Sequence, residues 1–145
     1  MRFCFFFIIL GSILITSCAS TINVSEEEKR YPKIIAEKAY TEFNEKRYKN
    51  AIAYYQYILD NYDRNLFPKD VAWAYYEIGF CYYYQSKYKE ALSYFDIVMR
   101  EFTVLPPKVL AQRVIDDIYT KKPNLKPMDY IETNDYNIEV INDED

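Results

Sequence analysis

"NEKRYKNAIAYYQYILDNYD", residues 44–63, recurs further along the chain as "YQSKYKEALSYFDIVMREFT", residues 84–103. Ala51 aligns with Ala91, forty positions later, and Tyr55 aligns with Phe95. An internal period of roughly 20 to 50 residues is typical of proteins built from stacked structural units. The middle of the chain is therefore predicted to hold two copies of one unit.

The spacing of apolar residues predicts that each copy contains a helix. Steps of three and four place these residues on one face of a helix with 3.6 residues per turn. In the first copy they are Tyr48, Ala51, Ile52, Tyr55, Ile58, Leu59 and Tyr62, and in the second Tyr88, Ala91, Leu92, Phe95, Val98, Met99 and Phe102. Another helical segment precedes each copy, from Pro32 to Asn44 and from Pro68 to Tyr84, and proline suits a first helical turn. The predicted fold class is all-α, with antiparallel helical hairpins stacked as a short superhelix.

The second copy resembles the tetratricopeptide repeat. Ile78-Gly79 stands where that family has Leu-Gly in its first helix, and Tyr82 stands on its aromatic position. Ala91 and Phe95 fit the small and aromatic positions of the second helix. Gly79 is expected to let two helices touch, at a cost of about 1 kcal/mol in helix propensity.

The first copy departs from the family pattern. Lys38-Ala39 occupies the place of the Leu-Gly pair, and the forty-residue spacing exceeds the usual period of about 34. The extra residues fall in "DRNLFPKD", residues 63–70. Terminal repeats are often atypical because they cap a stack.

Residues 72–83 are similar to repeats of two groups of bacterial envelope proteins. These are the coordinator of the Tol-Pal system and the lipoprotein of the barrel-assembly machinery, whose pattern A-x-Y-x-x-G-x-x-Y-Y is matched by Ala74, Tyr76, Gly79, Tyr82 and Tyr83. The proline that those groups place after the linker aromatic is absent. The resemblance implies an adaptor for protein–protein interaction in outer-membrane assembly or in envelope and division coordination.

A further helix is predicted from Pro106, where "PPKVLAQRVIDDIY" repeats the helical spacing. It would be the first helix of a third unit and would cover the open end of the stack. The helical domain is thus expected over residues 32–120. Residues 121–145 turn acidic, lose this spacing and are predicted to form a mostly disordered tail.

The N-terminus has the layout of a signal peptide over residues 1–17. Arg2 precedes an apolar run, residues 3–15, that ends in small residues. The run is shorter than the roughly 20 residues that a transmembrane helix needs, although an uncleaved anchor stays an alternative. Ile15-Thr16-Ser17-Cys18 resembles the bacterial lipobox, which implies lipid attachment at Cys18 and a linker over residues 18–31. Ala19 after the cysteine resembles lipoproteins of the outer membrane, which implies the periplasmic face of that membrane.

Composition argues against several functions. The net charge is −4, so a nucleic-acid partner is not expected. The chain has no histidine, and the adjacent acids Asp116 and Asp117 point apart on a helix, so no catalytic or metal site and no cofactor is predicted. Cys81 lies in an apolar helical pattern and is predicted to be a buried structural thiol. The seventeen tyrosines suit molecular recognition but also suit AT-rich codon bias.

Candidate partner-binding residues follow from the family resemblance, in which first helices line a groove for extended peptides. They are Trp73, Tyr76, Phe80, Tyr83 and Tyr84 in the second unit and Tyr40 and Phe43 in the first, with Lys33 and Asn44 beside them. Spacing supports a second stripe on this helix, next to a packing stripe of Tyr75, Ile78, Gly79 and Tyr82. Whether the second stripe binds a protein partner or packs under a neighbouring repeat stays open.

Two other functions stay in consideration. A small-ligand or glycan-binding lipoprotein could stack the same rings on sugars, but such sites usually add convergent polar groups, and the second stripe carries none. A structural subunit could use all its faces in contacts between copies of itself.

Overall fold

The structure, a computed structural model, describes residues 22–127. It contains five α-helices and two 3-10 turns and, within that range, no strand. The helices are α1 (Pro32–Asn44), α2 (Tyr48–Asn61), α3 (Pro68–Tyr84), α4 (Tyr88–Glu101) and α5 (Leu105–Lys121), and the turns are Glu28–Arg30 and Pro123–Leu125. The predicted all-α fold of stacked hairpins is confirmed. The predicted signal peptide, Cys18 and the end of the acidic tail lie outside the described residues.

Both hairpins turn with the same backbone geometry. Lys46 and Ser86 each have a φ of 59°, a left-handed conformation in which glycine is more usual. The next residue then donates its N–H back to the preceding helix, from Arg47 to the Glu42 carbonyl at 2.9 Å and from Lys87 to the Tyr82 carbonyl at 3.0 Å. These bonds satisfy carbonyls at the helix ends. The forty-residue repeat is therefore a repeat of local structure.

The helices enclose two apolar clusters. One lies among α1, α2 and α3 and includes Ile35, Tyr55 and Ile78. The other lies among α3, α4 and α5 and includes Phe95 and Ile118. Helix α3 contributes to both clusters, which explains why its sequence is apolar around most of its circumference.

Gly79 is a point of close approach between α3 and α4. A Cβ built at this residue would lie 2.7 Å from Cε1 of Phe95, a separation that real side chains do not adopt. Ala51 and Ala91 are likewise fully buried. Small residues at helix contacts permit close interaxial packing, as predicted for Gly79.

Two peripheral segments complete the domain. Before α1, the Lys29 carbonyl accepts a hydrogen bond from the Tyr62 hydroxyl at 2.9 Å, so this part of the predicted linker lies on the first hairpin. After α5, Leu125 packs against the second apolar cluster. Leu125 therefore gives the first residues of the predicted tail an apolar contact with the helical domain.

Candidate binding groove

An open groove runs between α1 and α3. Its volume is about 620 Å³, and α2 forms its floor. The lining residues are Lys33, Ala36, Glu37, Tyr40 and Thr41 from α1, Tyr55 and Ile58 from α2, and Lys69, Asp70, Trp73, Ala74 and Glu77 from α3. Both walls use residues three or four apart, because these share one helix face. The first helices of the two hairpins thus face each other across an accessible channel.

Two of the predicted partner-binding residues line this groove. Tyr40 on α1 is 58% exposed. Trp73 on α3 is half-buried and meets the ring of Tyr76 edge-on, with 5.6 Å between ring centroids. Ala36 and Ala74 add only methyl groups to the lining. The groove therefore has aromatic walls and room between them.

Four other predicted residues form an aromatic cluster at the end of α1 and α3, namely Phe43, Phe80, Tyr83 and Tyr84. Phe43 stacks on Phe80 across the two helices, with centroids 5.7 Å apart and an interplanar angle of 18°. Tyr84 meets Phe80 edge-on at 4.9 Å and is 52% exposed. Such ring pairs contribute about 0.5–1.5 kcal/mol beyond area burial. The cluster joins the two hairpins, and within it Tyr84 has the most exposed ring.

The placement of Tyr76 corrects the sequence-based expectation. It is only 5% exposed, and its ring lies 5.8 Å from that of Phe95 in the second apolar cluster. Tyr83 is also held by α5, since its hydroxyl donates to Oδ2 of Asp117 and accepts from Nζ of Lys121, both at 2.7 Å. Helix α5 packs on the same side of α3 as these rings, so Tyr76 is enclosed while Tyr83 stays half-buried.

Glu77 is a groove residue that sequence reasoning missed. It lies one turn after Trp73, and burial raises the pKa of its carboxyl from 4.5 to about 7. Among the described residues, no hydrogen bond or ion pair engages this carboxylate. It is the only charged residue between Asp70 and Lys87. A single charge in an apolar helix is the sequence feature that could have identified it as a candidate site residue.

The charge of Glu77 also acts on neighbouring groups inside the domain. Burial first, and then the Glu77 charge, raises the pKa of Tyr55 on the groove floor. The same two causes raise the pKa of the Cys81 thiol to about 12. Cys81 is fully buried, which agrees with the predicted structural role. The groove floor is therefore poorly solvated.

The remaining charges of the groove are mixed in sign. Lys33 and Glu37 come from α1, and Lys69 and Asp70 come from α3. With Glu77 the groove has two cationic and three anionic side chains. These charged side chains line the same groove as the aromatic rings. The sequence of α3 alone could not show that side chains from α1 lie beside them. Polar groups of the kind that sugar sites use therefore line the groove, although the second stripe itself carries none.

Residues 22–127 lack two features, a cluster of metal-binding side chains and a membrane-spanning helix. No group of three or more His, Cys, Asp or Glu side chains in this range could hold a metal ion. None of the helices there has the length and apolar character needed to cross a bilayer.

Comparison with known proteins bears on the repeat. Residues 34–96 match the family model of the tetratricopeptide repeat. No curated protein and no solved structure matches the chain significantly. The matched range begins in α1 and ends within α4, so it contains both walls of the groove. The match and the all-helical fold together support a tetratricopeptide-like repeat in this part of the chain. Proteins with such repeats typically bind protein partners and generally act as non-enzymatic scaffolds.

Proposed function

We propose that this chain is an adaptor lipoprotein of the bacterial cell envelope that binds a protein partner in the α1–α3 groove. The observation that carries the proposal is the open groove itself, about 620 Å³ in volume, with Tyr40 exposed on one wall and Trp73 on the other. Exposed tyrosine and tryptophan are enriched where binding energy concentrates. A tetratricopeptide match over both walls supports a protein rather than a nucleic-acid partner.

The size of the groove indicates how the partner binds. Its lining on α1 runs from Lys33 to Thr41, a rise of about 12 Å along the helix. An extended chain advances about 3.3 Å per residue, so about four residues fit along this length. The partner therefore contributes a short extended segment or loop.

The proposed anchor is a lipid on Cys18. Several acyl chains hold a protein stably at a membrane, at about 0.8 kcal/mol per buried methylene. Even fully extended, the residues from Cys18 to Ile22 span at most about 14 Å. A lipid at this position would keep the helical domain close to the membrane surface, at the periplasmic face of the outer membrane in this proposal.

The anchor is tested with Cys18→Ser. The wild-type chain should incorporate radioactive palmitate in its host cells, and the variant should stay unlabelled and unprocessed. Cys81→Ser is the matched control, because its thiol is buried and should carry no lipid. Unchanged labelling of the Cys18 variant contradicts the anchor.

The groove is tested by affinity capture from the envelope with Tyr40→Ala. This change removes an exposed ring from the wall, so recovery of the specific partner should fall about tenfold, as for a binding hot spot worth more than 1 kcal/mol. Leu66→Ala is the matched control, since Leu66 is an exposed apolar residue outside the groove. Equal losses for both variants, or for neither, contradict binding in the groove.

A small-ligand or glycan-binding function is the second candidate. It is favoured by the convergence of Lys69, Asp70 and Glu37 on the aromatic walls, an arrangement of rings and polar groups that suits sugar binding. Trp73 is the only tryptophan of the chain, so its emission reports on the groove alone. Envelope glycan fragments that change this emission saturably would favour the glycan function, whereas a change only with peptides favours the adaptor.

A further inference from the structure

The Glu77 carboxylate at the groove wall has no hydrogen-bond or ion-pair partner among the described residues. Glu77 is half-buried, and a carboxylate partly withdrawn from water loses hydration that charge-assisted hydrogen bonds or a counter-ion can restore. Among the described residues none supplies either. Unpaired groups of this kind, sitting in a cleft, are candidates for ligand contacts.

The cationic groups of the groove lie away from Glu77 along the helices. Lys69 precedes it by eight residues on α3, a rise of about 12 Å, and forms no ion pair with it. Lys33 lies on the first turn of α1 and is likewise unpaired with Glu77. The other titratable groups that line the groove around Glu77 are Glu37 and Tyr40 on α1, Tyr55 on α2 and Asp70 on α3. None of these carries a positive charge, so a cation for Glu77 has to come from outside.

The neighbours of Glu77 suit the stem of a long cationic side chain. Trp73 is four residues earlier and therefore adjacent on the same helix face, while Tyr40 lies on the opposite wall. Aromatic faces attract cations and pack against methylene stems. The small Ala74 near Glu77 leaves space at the wall.

We propose that the groove recognises a lysine or arginine side chain of the partner segment, with its cationic group on the Glu77 carboxylate and its stem between Tyr40 and Trp73. This inference rests on the proposed adaptor function and specifies the chemistry of the partner. A cationic side chain supplies donors that the carboxylate lacks. An acidic anchor would add repulsion, and a neutral apolar one would leave the carboxylate desolvated.

Recognition of this kind depends on pH. With the pKa of Glu77 near 7 in the empty groove, about nine-tenths of the carboxyl is ionised at pH 8 and about one-tenth at pH 6. Because only the ionised form attracts a cation, affinity should fall about tenfold from pH 8 to pH 6, in proportion to the competent fraction. Glu77→Gln should abolish this dependence.

The test uses the purified full-length chain in detergent and a displayed library of random ten-residue peptides, selected at pH 8. Wild type should enrich lysine or arginine at one position, and Glu77→Gln should not. A selected peptide, titrated by Trp73 emission, should bind the variant about 10- to 100-fold more weakly, the range for a hydrogen bond to a charged group. Glu90→Gln removes an exposed acid of α4 outside the groove and should behave as wild type.

The outcomes separate the inference from the function on which it rests. Binders that lack a basic position, or that bind Glu77→Gln equally well, overturn the inference and leave the adaptor function standing. Enrichment of aspartate or glutamate also overturns it, since the two lysines would then select the partner. A library that yields no groove binder overturns the adaptor function and the inference together.

Discussion

Replacing Glu77 with glutamine should stabilise the protein, with a gain that grows from about pH 4.5 and is complete above about pH 7. The carboxyl has a pKa of about 7 when folded and an ordinary value near 4.5 when unfolded. The folded state therefore binds this proton more tightly. Well below pH 4.5 both states are protonated and the group costs nothing. Between pH 4.5 and pH 7 the unfolded chain releases this proton while the folded protein keeps it, so stability falls progressively with pH and levels off above pH 7. Each pKa unit corresponds to about 1.4 kcal/mol, so the cost above pH 7 is about 3 kcal/mol.

The assay is the free energy of unfolding in urea, measured for wild type and Glu77→Gln at pH 4.5 and pH 8. Glu28 and Glu42, whose pKa values are lowered to about 2 by hydrogen bonds from Lys38 and Arg47, stay ionised in the folded protein at both pH values. They are present in both proteins, so the difference between the proteins isolates Glu77. The variant should be about 3 kcal/mol more stable at pH 8 and indistinguishable at pH 4.5.

Two results would refute this reasoning. A variant less stable than wild type at pH 8 would mean that the carboxylate has a stabilising partner. A difference independent of pH would mean that the carboxyl titrates normally and is well hydrated. Glu90→Gln is the matched control and should change stability by less than about 0.5 kcal/mol at either pH.

Three further expectations concern packing and reactivity. Gly79→Ala should lower the free energy of unfolding by about 1–3 kcal/mol in urea, although alanine favours helix, because its Cβ would meet Phe95; an unchanged midpoint contradicts the close approach. Phe80→Ala should lower the free energy of unfolding by about 2–3 kcal/mol, measured by thermal unfolding, because its ring joins α1 to α3. Tyr40→Ala should lower it by less than about 0.5 kcal/mol, because its ring is exposed. Similar losses for both variants would contradict the division into packed and exposed rings. Cys81 should resist iodoacetamide at pH 8 in the folded protein and react fully in urea, because burial shields the thiol and raises its pKa to about 12. Peptide mass spectrometry measures the extent of reaction. Comparable reaction rates in the folded and the urea-unfolded protein would mean that the thiol is accessible.

The fold could be predicted from sequence because its signals are local and repeated. Apolar spacing and the prolines at Pro32 and Pro68 place the helices, and the forty-residue repeat duplicates the hairpin. Gly79 could be interpreted for the same reason, since a glycine in an apolar helix needs a close neighbour.

The site was less predictable because it depends on contacts between distant helices. Both stripes of α3 are rich in aromatic residues, and only the packing of α4 and α5 against α3 buries Tyr76 in the second apolar cluster. The groove likewise exists because α1 and α3 face each other, which brings Lys33 and Glu37 to Trp73. Glu77 stood out as an isolated charge, but its importance follows from its burial beside an open groove.

The most direct measurement of whether a partner binds between α1 and α3 is site-specific photocrosslinking in living cells. A photoreactive amino acid replaces Tyr40 on the groove wall in one strain and the more exposed Leu66, outside the groove, in another. The account predicts one dominant crosslinked protein from position 40, lost when Glu77→Gln is added, and none from position 66. Crosslinks of equal intensity from both positions, or none from position 40, would contradict it.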